Sequence, residues 1–232
     1  MNLTRRTLIS GISTGIAALG SLGLSINPAD AQLIDQHSDW KYAEFNSLLK
    51  VASRAKQVYD VRLIADGKFL NNIKNSLNGF HFGFNIPIDQ IKLIAAMHGP
   101  SNMLNFDDAM WEKYHLGELL KIDDPKTGKP AIRNIYFSKR PVTSKDPQSR
   151  ASIFQDTSIE SLQDRGVKFL SCHTATEEQV HALVEQFSLK TPAEEIVRDL
   201  ETHTLPGVLI VPAMVATISL LQSEGHYTYI TV

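Results

Sequence analysis

Short apolar runs alternate with helical segments from residue 91 onward, and this alternation limits the fold more than any other feature of the sequence. Four runs have the length and composition of buried strands, at 91–97, 167–171, 207–211 and 227–232. Amphipathic segments with capping signals separate them, such as the capping box at 157–160 and the Pro192 start of the segment after it. The pattern predicts one α/β domain with a mostly parallel sheet of about 4–5 strands flanked by helices.

Residues before 91 show helical spacing only. Apolar residues recur at helical intervals over 40–58 and again over 67–80. We therefore expect 32–90 to form an N-terminal helical extension packed on an α/β domain that spans 91–232. Within that domain, 107–120 predicts one helix. The polar, proline-containing stretch 121–156 predicts a loop insert with one strand at 132–137.

The first 31 residues have the three parts of an export signal. Arg5 and Arg6 lie in a polar start, a weakly apolar stretch follows over 8–26, and 29–31 place small residues before a cut at Gln32. Paired arginines and low hydrophobicity favour the twin-arginine route and a periplasmic location. An uncleaved membrane anchor is the alternative, since the stretch is about long enough to span a bilayer.

Charge and composition exclude several classes of function. The chain has 23 basic and 25 acidic residues and a net charge of −2, which leaves no basic excess for nucleic acid or anionic lipid. No second long apolar run follows the signal, so we expect no membrane contact after cleavage. Eight histidines show no close ligand spacing, and no phosphate loop is found, so we expect neither a metal nor a cofactor.

Cys172 is the single cysteine and the sharpest candidate for chemistry. It follows a predicted strand and precedes a predicted helix that Thr174 or Thr176 would cap. Open parallel sheets bind ligands at the carboxyl ends of their strands, and a helix amino terminus favours the reactive thiolate. The alternative is a small apolar thiol that is buried under the helix.

Two histidines are candidates to support Cys172. His98 ends the run at 91–97 and would act as a base or a hydrogen-bond partner, or simply cap the turn that follows it. His173 is the neighbour of Cys172 in the chain. A ligand pocket is predicted at the same edge of the sheet, from Gly99, Asn134, Pro212 and Met214.

Four segments resemble the DsrE/DsrF-like sulfur-relay superfamily, at 95–100, 166–172, 211–214 and 221–227. The resemblance covers roughly residues 91–232 and implies a compact α/β domain that often forms homo-oligomers. Some members carry a persulfide on the cysteine that Cys172 matches. The well-understood members are shorter and cytoplasmic, whereas this chain adds an export signal, a helical extension and an insert.

The resemblance implies a periplasmic protein that handles sulfane sulfur or thiols. Cys172 would carry the persulfide, His98 and His173 would tune it, and a protein that donates or accepts sulfur would be a partner. Whether the protein is an enzyme stays open. The alternatives are a non-catalytic module that binds a small ligand or a partner at the strand carboxyl ends, and a structural subunit of a larger assembly. A buried, inert thiol would leave only these alternatives.

Overall fold

Five parallel strands form one sheet in residues 40–232, the part of the chain that the computed structural model describes. The strands are β1 Ala55–Val61, β2 Ile91–Met97, β3 Lys168–Cys172, β4 Leu209–Val211 and β5 Thr228–Thr231. Their order across the sheet is β4-β3-β2-β1-β5. The predicted α/β class is confirmed. The export signal lies outside the described residues and stays a prediction.

Eight α-helices flank the sheet in the described residues. They are α1 Tyr42–Lys50, α2 Lys68–Asn78, α3 Asp108–Lys113, α4 Leu116–Leu120, α5 Ile159–Asp164, α6 His173–Phe187, α7 Ala193–Thr202 and α8 Met214–Ser223. Within residues 40–232, no helix is both long enough and apolar enough to cross a membrane.

Strand β1 overturns part of the prediction for the segment before residue 91. Helix α1 ends at Lys50, and the second half of the predicted helix over 40–58 runs into a strand. Val58, Tyr59 and Val61 favour a strand by their shape, but burial on both faces removes the alternation that would have revealed it. β1 pairs with β2 over seven residues. The sheet therefore contains strands from before and after residue 91, where the α/β domain was predicted to begin.

The two faces of the sheet pack against different helices. On one face Val58, Ile94 and Cys172 form an apolar cluster with Met214 and Ile218 of α8, and α1 packs against it. On the other face, a larger cluster includes residues of α2, α3, α6 and α7. Successive residues of a strand point to opposite faces, so Cys172 lies on the α1–α8 side and Phe169 lies on the other.

The remaining local predictions have mixed outcomes. The helix predicted over 67–80 is α2, and the helix predicted to open at 157–160 is α5. The predicted capping box does not form: the N-cap is Ser158, whose hydroxyl accepts the Ser161 N–H at 3.2 Å, and Glu160 accepts the Lys139 N–H instead. Thr174 and Thr176 do not cap α6, which begins at His173 and includes both of them.

The segment predicted as one helix over 107–120 is two helices, and the insert has no strand at 132–137. His115 adopts a left-handed backbone conformation with φ of 50° and separates α3 from α4. The Asn134 side chain donates to the carbonyls of Leu104 (2.8 Å) and Phe106 (3.2 Å). These bonds fix the insert to the body of the domain without a ladder of strand pairs.

Strand β5 lies at one edge of the sheet, where its outer side has no strand partner among the described residues. Tyr229 and Ile230 are 45% and 36% exposed. An exposed apolar edge is a site where another chain can pair. The homo-oligomer expected from the sequence stays a prediction.

At Gly117 the backbone of helix α4 lies close to the backbone of the insert. A Cβ at this position would lie 2.2 Å from the Ala131 carbonyl oxygen and 2.4 Å from its nitrogen. Backbone atoms cannot rotate away as a side chain can, so Gly117→Ala should lower the free energy of unfolding by on the order of 3 kcal/mol. Urea unfolding measures this difference.

Gly83→Ala is the matched control, because a Cβ at Gly83 meets no atom within 4 Å. Its free energy of unfolding should change by less than about 0.5 kcal/mol. Equal effects of the two substitutions would show that the contact between α4 and the insert does not limit stability.

Candidate functional site

An open cleft of about 600 Å³ lies at the carboxyl edge of the sheet, beside the ends of β1, β2 and β5. Its walls are Arg62, Leu63, His98, Gly99, Pro100, Glu178, Thr231 and Val232. Ligands of open parallel sheets bind at this edge because the loops after the strands can diverge there.

His98 is held in the wall of the cleft by a carboxylate on the next strand. Its Nε2 lies 2.5 Å from Oδ1 of Asp60, and the Tyr229 hydroxyl donates to Oδ2 of the same carboxylate at 2.5 Å. Asp60 is near the end of β1, which lies between β2 and β5 in the sheet. One oxygen of the Asp60 carboxylate therefore binds His98 on the β2 side, and the other binds Tyr229 on the β5 side.

The hydrogen bonds of Asp60 fix which nitrogen of His98 remains free. An ionised carboxylate only accepts, so Nε2 of His98 carries the proton that it shares with Asp60. Nδ1 then has no hydrogen-bond partner within residues 40–232, and in the neutral imidazole it is the nitrogen that can accept a hydrogen bond from a ligand. The hydrogen bond to Asp60 also raises the pKa of Tyr229, which keeps the phenol protonated as a donor.

Two charges of opposite sign lie in the same cleft. Arg62 follows β1, Glu178 is in α6, and both are exposed. Neither Arg62 nor Glu178 forms an ion pair with another described residue. The cleft therefore offers one positive group, one negative group and one ring nitrogen that has no partner among the described residues.

Cys172 lies apart from this cleft, in the apolar cluster under α8. The residue is 3% exposed. Its sulfur accepts the backbone N–H of Met214 at 3.2 Å and lies 3.1 Å from the Thr174 hydroxyl. Its backbone N–H donates to the Asn102 side chain at 2.8 Å. The thiol thus has polar partners but almost no contact with solvent.

His173 points its ring nitrogens at two carboxylates. Nδ1 lies 2.7 Å from Glu201 of α7, and Nε2 lies 3.4 Å from Glu177 one turn along α6. The hydrogen bond to Glu201 raises the pKa of His173 above its ordinary value, although partial burial opposes the shift. In residues 40–232, no hydrogen bond joins His98 or His173 to Cys172.

The residues that were predicted as one ligand pocket lie in three places. Gly99 lines the cleft beside His98 and has φ of 58°, a conformation that glycine adopts readily. Met214 contacts the sulfur of Cys172, and the Pro212 carbonyl accepts the Thr174 N–H. Asn134 is buried in the hydrogen bonds that hold the insert.

Sequence reasoning missed Asp60, Tyr229, Arg62 and Glu178. Asp60 and Arg62 escaped notice because the strand that positions them was predicted as a helix as far as residue 58. A polar pair at the end of the run Val58 to Val61 would have been a signal once that run was assigned to a strand.

The chain was also compared with known proteins. No family model, no curated protein and no solved structure matches it.

The contacts of His173 predict a pH-dependent contribution to stability. A raised pKa in the folded state stabilises the fold fully below the ordinary value of 6.5, and this contribution is lost as pH rises through the pKa of the folded state. The free energy of unfolding, measured with urea from about pH 5.5 to about pH 8.5, a span of roughly three units around histidine titration, should therefore show a decline that His173→Gln removes.

His181→Gln is the control, since His181 is an exposed histidine in the same helix α6 and forms no ion pair among the described residues. In His181→Gln, the free energy of unfolding should still decline as pH rises. If His173→Gln left the pH dependence unchanged, the contacts with Glu201 and Glu177 would not contribute to stability.

Proposed function

We propose that this protein binds a small polar ligand in the cleft at the carboxyl edge of the sheet, with His98 as a direct hydrogen-bond partner. The observation that carries this proposal is the hydrogen bond that Nε2 of His98 donates to Asp60, which leaves Nδ1 without a described partner in a residue that lines an open cleft. A surface histidine that only capped the turn at Gly99 would not need a carboxylate to fix its ring.

The charges of the cleft indicate the class of ligand. Arg62 suits a carboxylate, because a guanidinium can form two parallel hydrogen bonds with it. Glu178 suits an ammonium group. A small zwitterion of the amino-acid class satisfies both, and Nδ1 of His98 would accept one of its N–H or O–H groups.

Asp60 acts on the ligand through His98 and is a positioning residue. By accepting from Nε2, it selects the tautomer in which Nδ1 is an acceptor, and it fixes the plane of the ring. Tyr229 holds the other oxygen of the carboxylate and so limits its rotation. The three side chains form a pre-organised wall, which reduces the entropy that binding would otherwise cost.

A panel of free amino acids, followed by thermal unfolding and titration calorimetry, tests the proposal. At least one member should bind saturably, and Asp60→Asn should weaken it about tenfold, or about 1.4 kcal/mol, because an amide can donate to Nε2 and favour the wrong tautomer. Arg62→Gln and Glu178→Gln should each weaken the binding as well.

Matched controls exist for both charges. Arg54 is an exposed arginine and Glu185 is an exposed glutamate of α6, and neither lines the cleft. Arg54→Gln and Glu185→Gln should leave the affinity unchanged. If no amino acid bound, or if the cleft and control variants behaved alike, the proposal would be wrong.

A second candidate function is sulfur handling of the DsrE/DsrF type at Cys172. It is supported by the Met214 N–H and the Thr174 hydroxyl, both of which can stabilise negative charge on sulfur. A persulfide carrier would also need its sulfur to reach another molecule. The 3% exposure of Cys172 makes this candidate weaker than ligand binding in the cleft.

Alkylation of the folded protein distinguishes the two candidates. A carrier thiol should react with iodoacetamide at neutral pH without denaturant. It should also gain one sulfur atom from polysulfide, and reductant should remove that atom again. Intact-mass measurement detects each of these changes. Cys172→Ser should abolish both adducts. A thiol that is labelled only after urea unfolding would leave Cys172 as part of the core.

A further inference from the structure

The cleft at His98 has apolar walls as well as charged ones. Leu63, Pro100 and Val232 all line it, and they come after β1, β2 and β5 respectively. Because β1 lies between β2 and β5, the ends of three neighbouring strands each contribute one apolar residue to the same cleft. Leu63 is 64% exposed. An aliphatic surface therefore lies open beside Arg62 and Glu178.

Leu63 differs from other exposed apolar residues by its position. Single apolar residues on a protein surface are common and need no special explanation. Leu220 of α8 is such a residue, since it is 39% exposed and does not line the cleft. Leu63 follows Arg62 directly in the chain, so a ligand whose carboxylate binds Arg62 brings its other groups close to Leu63. Covering this surface removes it from water, which favours the complex.

The backbone that carries Arg62 and Leu63 is held by the loop after β2. The His98 N–H donates to the Val61 carbonyl at 3.0 Å, and the Ser101 N–H donates to the Arg62 carbonyl at 3.4 Å. The buried Ser101 hydroxyl also donates to the Val61 carbonyl, at 2.7 Å. These bonds fix the segment from which Leu63 projects, so a ligand does not have to order this wall when it binds.

The charged residues of the cleft indicate which ligand side chains it disfavours. Arg62, Glu178 and His98 are the residues of the described lining that can carry a charge. An amino acid whose carboxylate and ammonium bind Arg62 and Glu178 leaves no carboxylate or guanidinium of this lining for a charged side chain. Asp60 does not supply one, because both of its oxygens are bonded, to His98 and to Tyr229. Burying a charge without a partner is costly.

We infer that the cleft prefers an amino acid with an aliphatic side chain of the size of valine or leucine, and that Leu63 determines this preference. The inference rests on the proposed binding of an amino acid by Arg62 and Glu178. The ligand's side chain contacts Leu63, Pro100 and Val232, while its polar end meets the charged groups. A cleft of about 600 Å³ has room for a ligand of this size.

Calorimetric titration with leucine, alanine, aspartate and lysine tests this preference, because the four ligands share one head group and differ in the side chain. Leucine should bind about tenfold more tightly than alanine. Differences of a few methylene groups in apolar sites have effects of this order or larger, and an open cleft gives the lower end of the range. Aspartate and lysine should bind no more tightly than alanine, since their charges find no partner.

Leu63→Ala is the decisive variant. It should weaken leucine binding about fivefold and leave alanine binding nearly unchanged, because alanine does not reach the shortened side chain. Leu63 is 64% exposed, so the substitution should leave the fold intact, which urea unfolding verifies. Leu220→Ala is the matched control. It shortens an exposed leucine outside the cleft and should leave both affinities unchanged.

The titrations separate failure of the inference from failure of the proposed function. If none of the four amino acids bound saturably, the proposed function would be wrong, and the preference would fail with it. If all four bound with equal affinity, or if aspartate or lysine bound more tightly than leucine, the amino-acid site would stand and the aliphatic preference would be wrong. A preference for leucine that Leu63→Ala left unchanged would overturn the role of Leu63.

Discussion

The pairing of β1 with β2 is the interaction on which the rest of the structure depends. Seven consecutive residue pairs join the two strands, from Ala55 with Ile91 to Val61 with Met97. This ladder places β1 inside the sheet, where it also offers an edge to β5. Because β1 and β2 end together, Asp60 lies beside His98, and the loops after both strands form two walls of one cleft.

The same geometry separates the two kinds of chemistry that the sequence suggested would act together. His98 and Cys172 both lie at the carboxyl ends of neighbouring strands, yet their surroundings differ. His98 is in an open cleft with charged residues, whereas Cys172 is enclosed by apolar residues of α8 and the sheet. Position at a strand end therefore predicted the edge where an open cleft lies, but it did not predict which residue of that edge meets solvent.

Local sequence patterns predicted those helices and strands whose signals lie within their own residues. The run at 91–97 is β2 residue for residue, and the helix predicted to open at 157–160 is α5, with Ser158 as its N-cap. The prediction from sequence failed where burial or long-range contacts determine the structure. Strand β1 is buried on both faces and so lost its alternation, and the Asn134 bonds that hold the insert join residues about 30 positions apart.

Groups of side chains that meet in space were harder to predict than helices and strands, because long-range contacts bring them together. Asp60 and His98 are 38 residues apart, and no spacing rule links them until the strand order is known. Arg165 is similar: it is 8% exposed and forms no ion pair with another residue of 40–232, which a sequence does not show. The choice of Cys172 as the leading candidate rested on residue type, on its position between a predicted strand and a predicted helix, and on a resemblance, and none of these reports exposure.

The hydrogen bond from Tyr229 to Asp60 has a consequence for the order in which this molecule is assembled. It joins residues 169 positions apart, through an edge strand with only four paired residues. Contacts that close long loops form late in folding, and short edge strands are the first to exchange their amide protons. The sheet can therefore be complete from β4 to β1 while β5 is still unpaired, and local fraying of β5 alone would separate Tyr229 from Asp60 and release one side of the carboxylate that holds His98.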